Sequence, residues 1–199
     1  MNENLIIAVD VDDVVCDLIR VWLEMYNLAF KDVLVPEEIT EWDITQFVKP
    51  EAKDVMYKFL DRPDLYLKAQ PFPGALKFVA ELRELGRVVF VTSTNVEQNG
   101  NKLRWLHRHG FLLRDKYERD YVEAADKSLI LCDFLIDDKI ENCRSAWSYG
   151  LLLTRPHNRK YLIPQDDNVI RCNNYDHVIE KIRLVSYEEL PYADDELPD

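Results

Sequence analysis

The 199-residue chain is 47% hydrophobic and carries a formal net charge of −12, enough apolar content for one substantial core plus a small insertion but not for two independent domains. No apolar run nears the roughly 20 residues of a membrane span, and the opening MNENLIIAVD lacks the basic region and long apolar stretch of a secretory signal, so a cytoplasmic protein is expected. The negative charge argues against an extended nucleic-acid surface, which needs clustered Lys and Arg, and Cys16, Cys132, Cys143 and Cys172 are too scattered for a zinc site or a disulfide framework.

The first strand candidate is LIIAV (5–9), followed at once by Asp10, Asp12 and Asp13. Residues 14–70 come next, with Leu18, Val21, Trp22, Met25 and Tyr26 at helical spacing. A strand-to-helix connection is normally only a few residues long, so this stretch is expected to be an inserted helical cap above the acidic cluster. The chain then alternates. PGALKFVAELRELG (73–86) reads as a helix facing inward through Leu76, Val79, Ala80 and Leu82, and VVFV (88–91) as a strand. A helix over 96–110 carries Leu103 and Leu106 toward a Gly110 stop, with His107 and His109 on different faces. FLI (134–136) reads as a strand, 140–150 as a helix, LLL (151–153) and VIRC (169–172) as strands, and 175–185 as the last helix.

Continuous β-branched runs suit strands buried on both faces. The fold class is therefore α/β: a Rossmann-like parallel sheet with helices on both faces, and a small helical cap inserted after the first strand. The core is expected at residues 1–13 and 71–185 and the cap at 14–70. Residues 186–199 hold six acids and no bases and are expected to be a disordered tail.

Three strand candidates end in polar groups: Asp10, Asp12 and Asp13; Thr92 and Ser93; Asp137 and Asp138. In open parallel sheets ligands bind beyond the carboxyl ends of the strands, so these groups should meet in one crevice. An acidic strand end alone is more often a solvated turn; three polar ends and a preceding Lys127 in order describe a phosphate site. A carboxylate attacks a phosphate dianion only if a divalent cation and a positive side chain offset their repulsion. Asp10, Asp137 and Asp138 could hold Mg2+, Lys127 could supply the positive charge, and the Thr92 and Ser93 hydroxyls could donate to phosphoryl oxygens. Asp10 would be the nucleophile, and Asp12, two residues on, is placed for acid and base work.

These motifs, DVDDV (10–14), VTST (91–94), Lys127 and LIDDK (135–139), resemble the haloacid dehalogenase superfamily of Mg2+-dependent phosphohydrolases. Within it, IIAVDVDDVVCDL, PFPGA (71–75), VFVTS and DFLIDDK are similar to the 5′(3′)-deoxyribonucleotidases, which hydrolyse deoxynucleoside monophosphates beneath a helical cap. The resemblance implies Asp10 as nucleophile and Asp12 as acid and base. It implies a metal shell of Asp10, the Asp12 main-chain carbonyl and Asp138, supported by Asp137, with phosphate held by Thr92, Ser93 and Lys127. Base contacts would come from the cap region, where Leu18, Trp42, Phe47, Phe59 and Leu60 are the candidates; Trp22 and Tyr26 are read as cap core. Asp13 stands where the family usually has Gly. The partner is then a small-molecule nucleotide, with no membrane, and a homo-oligomer is compatible with the sequence. The competing readings are the same fold acting on a sugar phosphate or a polynucleotide end, and a non-catalytic acidic binding protein.

Overall fold

Six apolar segments pair side by side in the computed structural model of the chain, which describes residues 5–95, 98, 100–112, 120–164 and 167–189. They are β1 (Ile6–Val9), β2 (Arg87–Thr92), β3 (Tyr121–Glu123), β4 (Phe134–Asp137), β5 (Tyr149–Leu153) and β6 (Val169–Cys172). All pairings are parallel and the spatial order is β3-β2-β1-β4-β5-β6. The order reverses direction at β1, which places a crevice between the ends of β1, β2 and β4, where ligands bind in such sheets.

Helices α1 (Leu18–Phe30), α2 (Leu65–Lys68), α3 (Ala75–Leu85), α4 (Asn101–Arg108), α5 (Ile140–Arg144) and α6 (Tyr175–Glu189) accompany the sheet. α3, α4 and α6 bury Phe78, Val79, Leu82, Trp105, Leu106, Val178, Ile179 and Ile182 with β1 and β2 residues in one cluster. On the other face a smaller cluster forms around Ala8, Val91, Cys132, Leu135 and Ala146. The four cysteines are free and buried, as expected of small apolar fillers.

Between β1 and α3 lie α1, three 3-10 segments (Pro36–Glu38, Ile44–Gln46 and Pro50–Asp61) and α2. Leu23, Tyr26, Ile39, Ile44, Val48, Ala52 and Met56 pack there into a core of their own. Leu65, Tyr66 and Ala69, although within the stretch expected as cap, pack instead with β1 and α4. Both ends of the helical segment leave the sheet side by side: Cys16 bridges Pro71, and the Asp17 N–H donates to the Gln70 carbonyl at 2.9 Å.

Several elements differ from their expected form. β3 has no apolar run, because it is a three-residue edge strand with Val122 and Glu123 exposed. α3 buries Ala75, Phe78, Val79 and Leu82, while Leu76 and Ala80 face solvent, so its inward stripe is turned from the expected one. α5 ends at Arg144 rather than near 150, since Tyr149 and Gly150 already pair with β4. α4 begins at Asn101, after Gly100 in the left-handed region at φ 77°. α6 runs past the expected tail boundary to Glu189, and residues 190–199 lie outside the described residues.

Candidate active site

Register brings the acidic groups together. Val9 pairs with Ile136, so the next residues, Asp10 and Asp137, stand level on adjacent strands, and the Asp10 N–H extends the ladder to the Ile136 carbonyl at 2.9 Å. One carboxylate oxygen from each of Asp10, Asp137 and Asp138 lies within 4.8 Å of the others, and all three residues are buried. Beyond Asp10 the chain turns tightly, with the Val15 and Cys16 N–H groups donating to Val11 O. That turn needs Asp13 at φ 52°, a left-handed backbone that Asp tolerates better than most residues. The Asp13 carboxylate accepts the Ile19 N–H at 3.1 Å, at the entrance to α1.

Two buried lysines offset this charge. Lys127 Nζ lies 2.8 Å from Asp10 Oδ1 and 2.6 Å from Asp137 Oδ2. Lys102 Nζ lies 2.7 Å from Asp12 Oδ2, and donates to Thr92 Oγ1 at 2.7 Å and to Ser93 O at 2.9 Å. Tyr66 OH reaches both Asp12 oxygens at 2.9 Å. Asp137 is further held by Asn142 Nδ2 at 3.0 Å and the Lys139 N–H at 2.9 Å.

The segment after β5 closes the far side. His157 Nε2 lies 2.8 Å from Asp138 Oδ2, and Asn158 Nδ2 donates to Asp138 O at 2.7 Å. Arg155 donates from Nε to Asp13 O at 2.5 Å and from Nη2 to Val14 O at 3.0 Å, so it clamps the turn that carries the acidic motif.

These surroundings shift the acids. Burial raises Asp12, with Asp10 adding to the rise and Lys102 opposing it. Burial and the neighbouring Asp138 push Asp13 up to about 7. Burial likewise lifts Asp137 to about 7, with Lys127 offsetting part of the rise. Burial disfavours charge on His157, but Asp138 and then Asp13 outweigh it and raise the imidazole above its usual value. A buried site that makes its carboxylates hard to ionise favours an added cation. The donor set is all oxygen, which fits a hard divalent ion such as Mg2+. The Asp12 carboxylate, taken up by Lys102 and Tyr66, stands outside that cluster.

Above the carboxylates is a cavity of about 300 Å³. Of the expected residues, Asp10, Asp12, Thr92, Ser93, Lys127, Asp137, Asp138, Leu18 and Trp42 line it. Phe47 and Phe59 do not; they pack against the separate helical core. Leu60, also among the expected residues, reaches the cavity, and so does Trp22, which was expected in the helical core and packs against it. Trp42 stands edge-on to His157 at 5.3 Å, with Lys139 Nζ 5.1 Å from its ring centre.

Sequence reasoning missed Lys102, Tyr66, Arg155, His157 and Asn158. For Lys102 there was a readable signal: it shares a helix face with Trp105 and Leu106, three and four residues on, and a lysine on an apolar stripe needs a buried partner.

A family model described as 5′ nucleotidase, deoxy (pyrimidine), cytosolic type C protein matches residues 4–187. The chain is 28% identical over 157 residues to the 5′(3′)-deoxyribonucleotidase of Clostridium acetobutylicum, covering 77% of this chain and 83% of that protein. To the cytosolic-type 5′(3′)-deoxyribonucleotidase of Homo sapiens it is 27% identical over 179 residues, covering 82% and 87%. A haloacid dehalogenase-like hydrolase from Streptococcus pneumoniae shares the fold with a TM-score of 0.61 at 13% identity, over 91% of this chain and 99% of that one.

Proposed function

The chain belongs to the 5′ nucleotidase, deoxy (pyrimidine), cytosolic type C family, and from that premise we propose a Mg2+-dependent deoxyribonucleotidase working through an aspartyl phosphate on Asp10. It is a phosphoric monoester hydrolase of the deoxyribonucleotidase type. The observation that carries the mechanism is the placement of Asp10. It ends β1 at the floor of the cavity, 2.8 Å from a buried ammonium and beside two further carboxylates.

In this reading a deoxynucleoside monophosphate enters with its phosphate down. Asp10, Asp138 and the Asp12 carbonyl, with Asp137 in support, would hold a divalent cation, which would supply the positive charge that lets an anion approach a dianion. Asp10 attacks phosphorus while the ester P–O bond breaks and its electron pair goes to the leaving oxygen. Asp12, raised by burial, gives that oxygen a proton. A water then attacks the aspartyl phosphate, Asp12 takes the water's proton, and phosphate leaves with Asp10 restored. Thr92 and Ser93 donate to the phosphoryl oxygens, and Lys127 steadies Asp10 and the charge that develops.

Leu18, Trp22, Trp42 and Leu60 give the upper cavity apolar walls suited to a base and deoxyribose. Its volume suits a mononucleotide rather than a polynucleotide end. A cytoplasmic location is part of the same reading, supported by four free cysteines.

The test is phosphate release from a panel of deoxynucleoside monophosphates, sugar phosphates and 3′-phosphorylated oligonucleotides. Asp10→Asn is expected to abolish turnover while keeping the melting transition. Retained turnover in that variant, or hydrolysis of the oligonucleotides alone, would refute the reading.

A further inference from the structure

We propose that Lys102 is a positioning residue which, with Tyr66, locks the Asp12 carboxyl group and the Thr92 hydroxyl into one unit and makes no contact with phosphate itself. The proposal rests on the reading of Asp12 as acid and base.

An ammonium has three N–H bonds to place. Those of Lys102 meet Asp12 Oδ2 at 2.7 Å, Thr92 Oγ1 at 2.7 Å and Ser93 O at 2.9 Å. The residue is 1% exposed, so no donor remains for a ligand. Its helix is fixed in turn: Trp105, on the same buried face, donates from Nε1 to Ala69 O at 2.9 Å. That bond ties α4 to the end of α2, the helix that carries Tyr66.

Two consequences follow from these contacts. Thr92 Oγ accepts from Lys102, so its single proton is free to point away, into the cavity. Asp12 is gripped from two elements, by Lys102 of α4 on one oxygen and by Tyr66 of α2 across both. A carboxyl group held this way cannot rotate, and Oδ1, whose one partner among these contacts is Tyr66, is the oxygen left with acceptor capacity for proton transfer. Proton delivery to the leaving oxygen requires that aim, because a group merely near the reacting atoms is a poor donor. Lys127, by contrast, serves Asp10 and Asp137, so each buried lysine addresses a different step.

The experiment compares two substrates in Lys102→Met and Tyr66→Phe. A deoxynucleoside leaves as an alkoxide and needs the proton from Asp12, whereas p-nitrophenolate leaves without one. We expect Lys102→Met to lower kcat/KM for deoxynucleoside monophosphates about 100-fold, mostly through kcat, and that for p-nitrophenyl phosphate by less than about 5-fold. Tyr66→Phe, which leaves the packing intact, should show the same asymmetry at about 10-fold. Asp12→Asn is the reference. If it shows the asymmetry and both other variants lose activity equally on the two substrates, the positioning role is wrong and the acid and base reading stands. A rise in KM for both substrates in Lys102→Met would make Lys102 a phosphate ligand and overturn the proposal. If Asp12→Asn itself shows no asymmetry, the reading of Asp12 falls and the proposal falls with it.

Discussion

Lys127→Met tests whether the acidic floor of the cavity is held together by one side chain. The substitution keeps length and apolar volume but removes the ammonium that lies 2.8 Å from Asp10 and 2.6 Å from Asp137. Both carboxylates are buried, Asp137 completely, and Asp138 adds a third beside them. Taking one partner from a buried ion pair costs about 3–5 kcal/mol, because the other charge stays desolvated and unpaired. Asp137 moderates the loss: burial already lifts it to about 7, so without Lys127 it holds a proton rather than remain charged. The lower end of the range, about 3 kcal/mol, is therefore expected near neutral pH. For a chain of this size that is a fall in Tm of about 6–12 °C. Mg2+ should restore more of the transition in the variant than in the wild type, since its carboxylates lack their internal cation. The assay is thermal unfolding by circular dichroism, with 5 mM EDTA (about a millimolar-range chelator excess) or with a similar, roughly millimolar, concentration of Mg2+. A variant that melts within about 2 °C of the wild type in EDTA would refute the argument.

Three further outcomes are expected. Mg2+ at about 100 times its dissociation constant should stabilise the wild type by about 2.7 kcal/mol, or about 5–11 °C in Tm, and Asp138→Asn should remove most of that shift. Trp42→Ala should raise KM for deoxynucleoside monophosphates about tenfold with kcat little changed, because a stacking face acts in ground and transition states alike. Phe47→Ala, away from the cavity, should instead cost about 2 kcal/mol of stability and leave KM alone, which unfolding and steady-state kinetics together would check.

The polar strand ends were legible because a parallel sheet writes itself into sequence as short continuous apolar runs, and the polar residue after each run marks the crevice. Asp10, Thr92 and Asp137 could be placed in this way without knowing how the strands pair. β3 could not, since Tyr121–Glu123 is an edge strand whose exposed residues carry no apolar signature. The cavity walls were harder. Trp42 and Phe47 lie in the links between the short 3-10 segments of residues 36–61, where side chains follow neither helical nor strand period, so nothing in the spacing tells Trp42, on the cavity, from Phe47, behind it. The residues that orient the acids, Tyr66, Lys102, Arg155 and His157, come from four separate stretches, and only their packing brings them to the site.

The paired exit of the helical segment at Cys16 and Pro71 bears on how such an enzyme could change its substrate over time. A chain excursion whose two ends already touch closes at the same span whatever lies between them, and lengthening it adds little closure entropy. The acidic floor, carried by the ends of β1, β2 and β4, and the volume above it can therefore diverge almost independently. Residues between these two points could be exchanged for a longer or shorter segment, altering what fits while the phosphoryl chemistry is inherited unchanged.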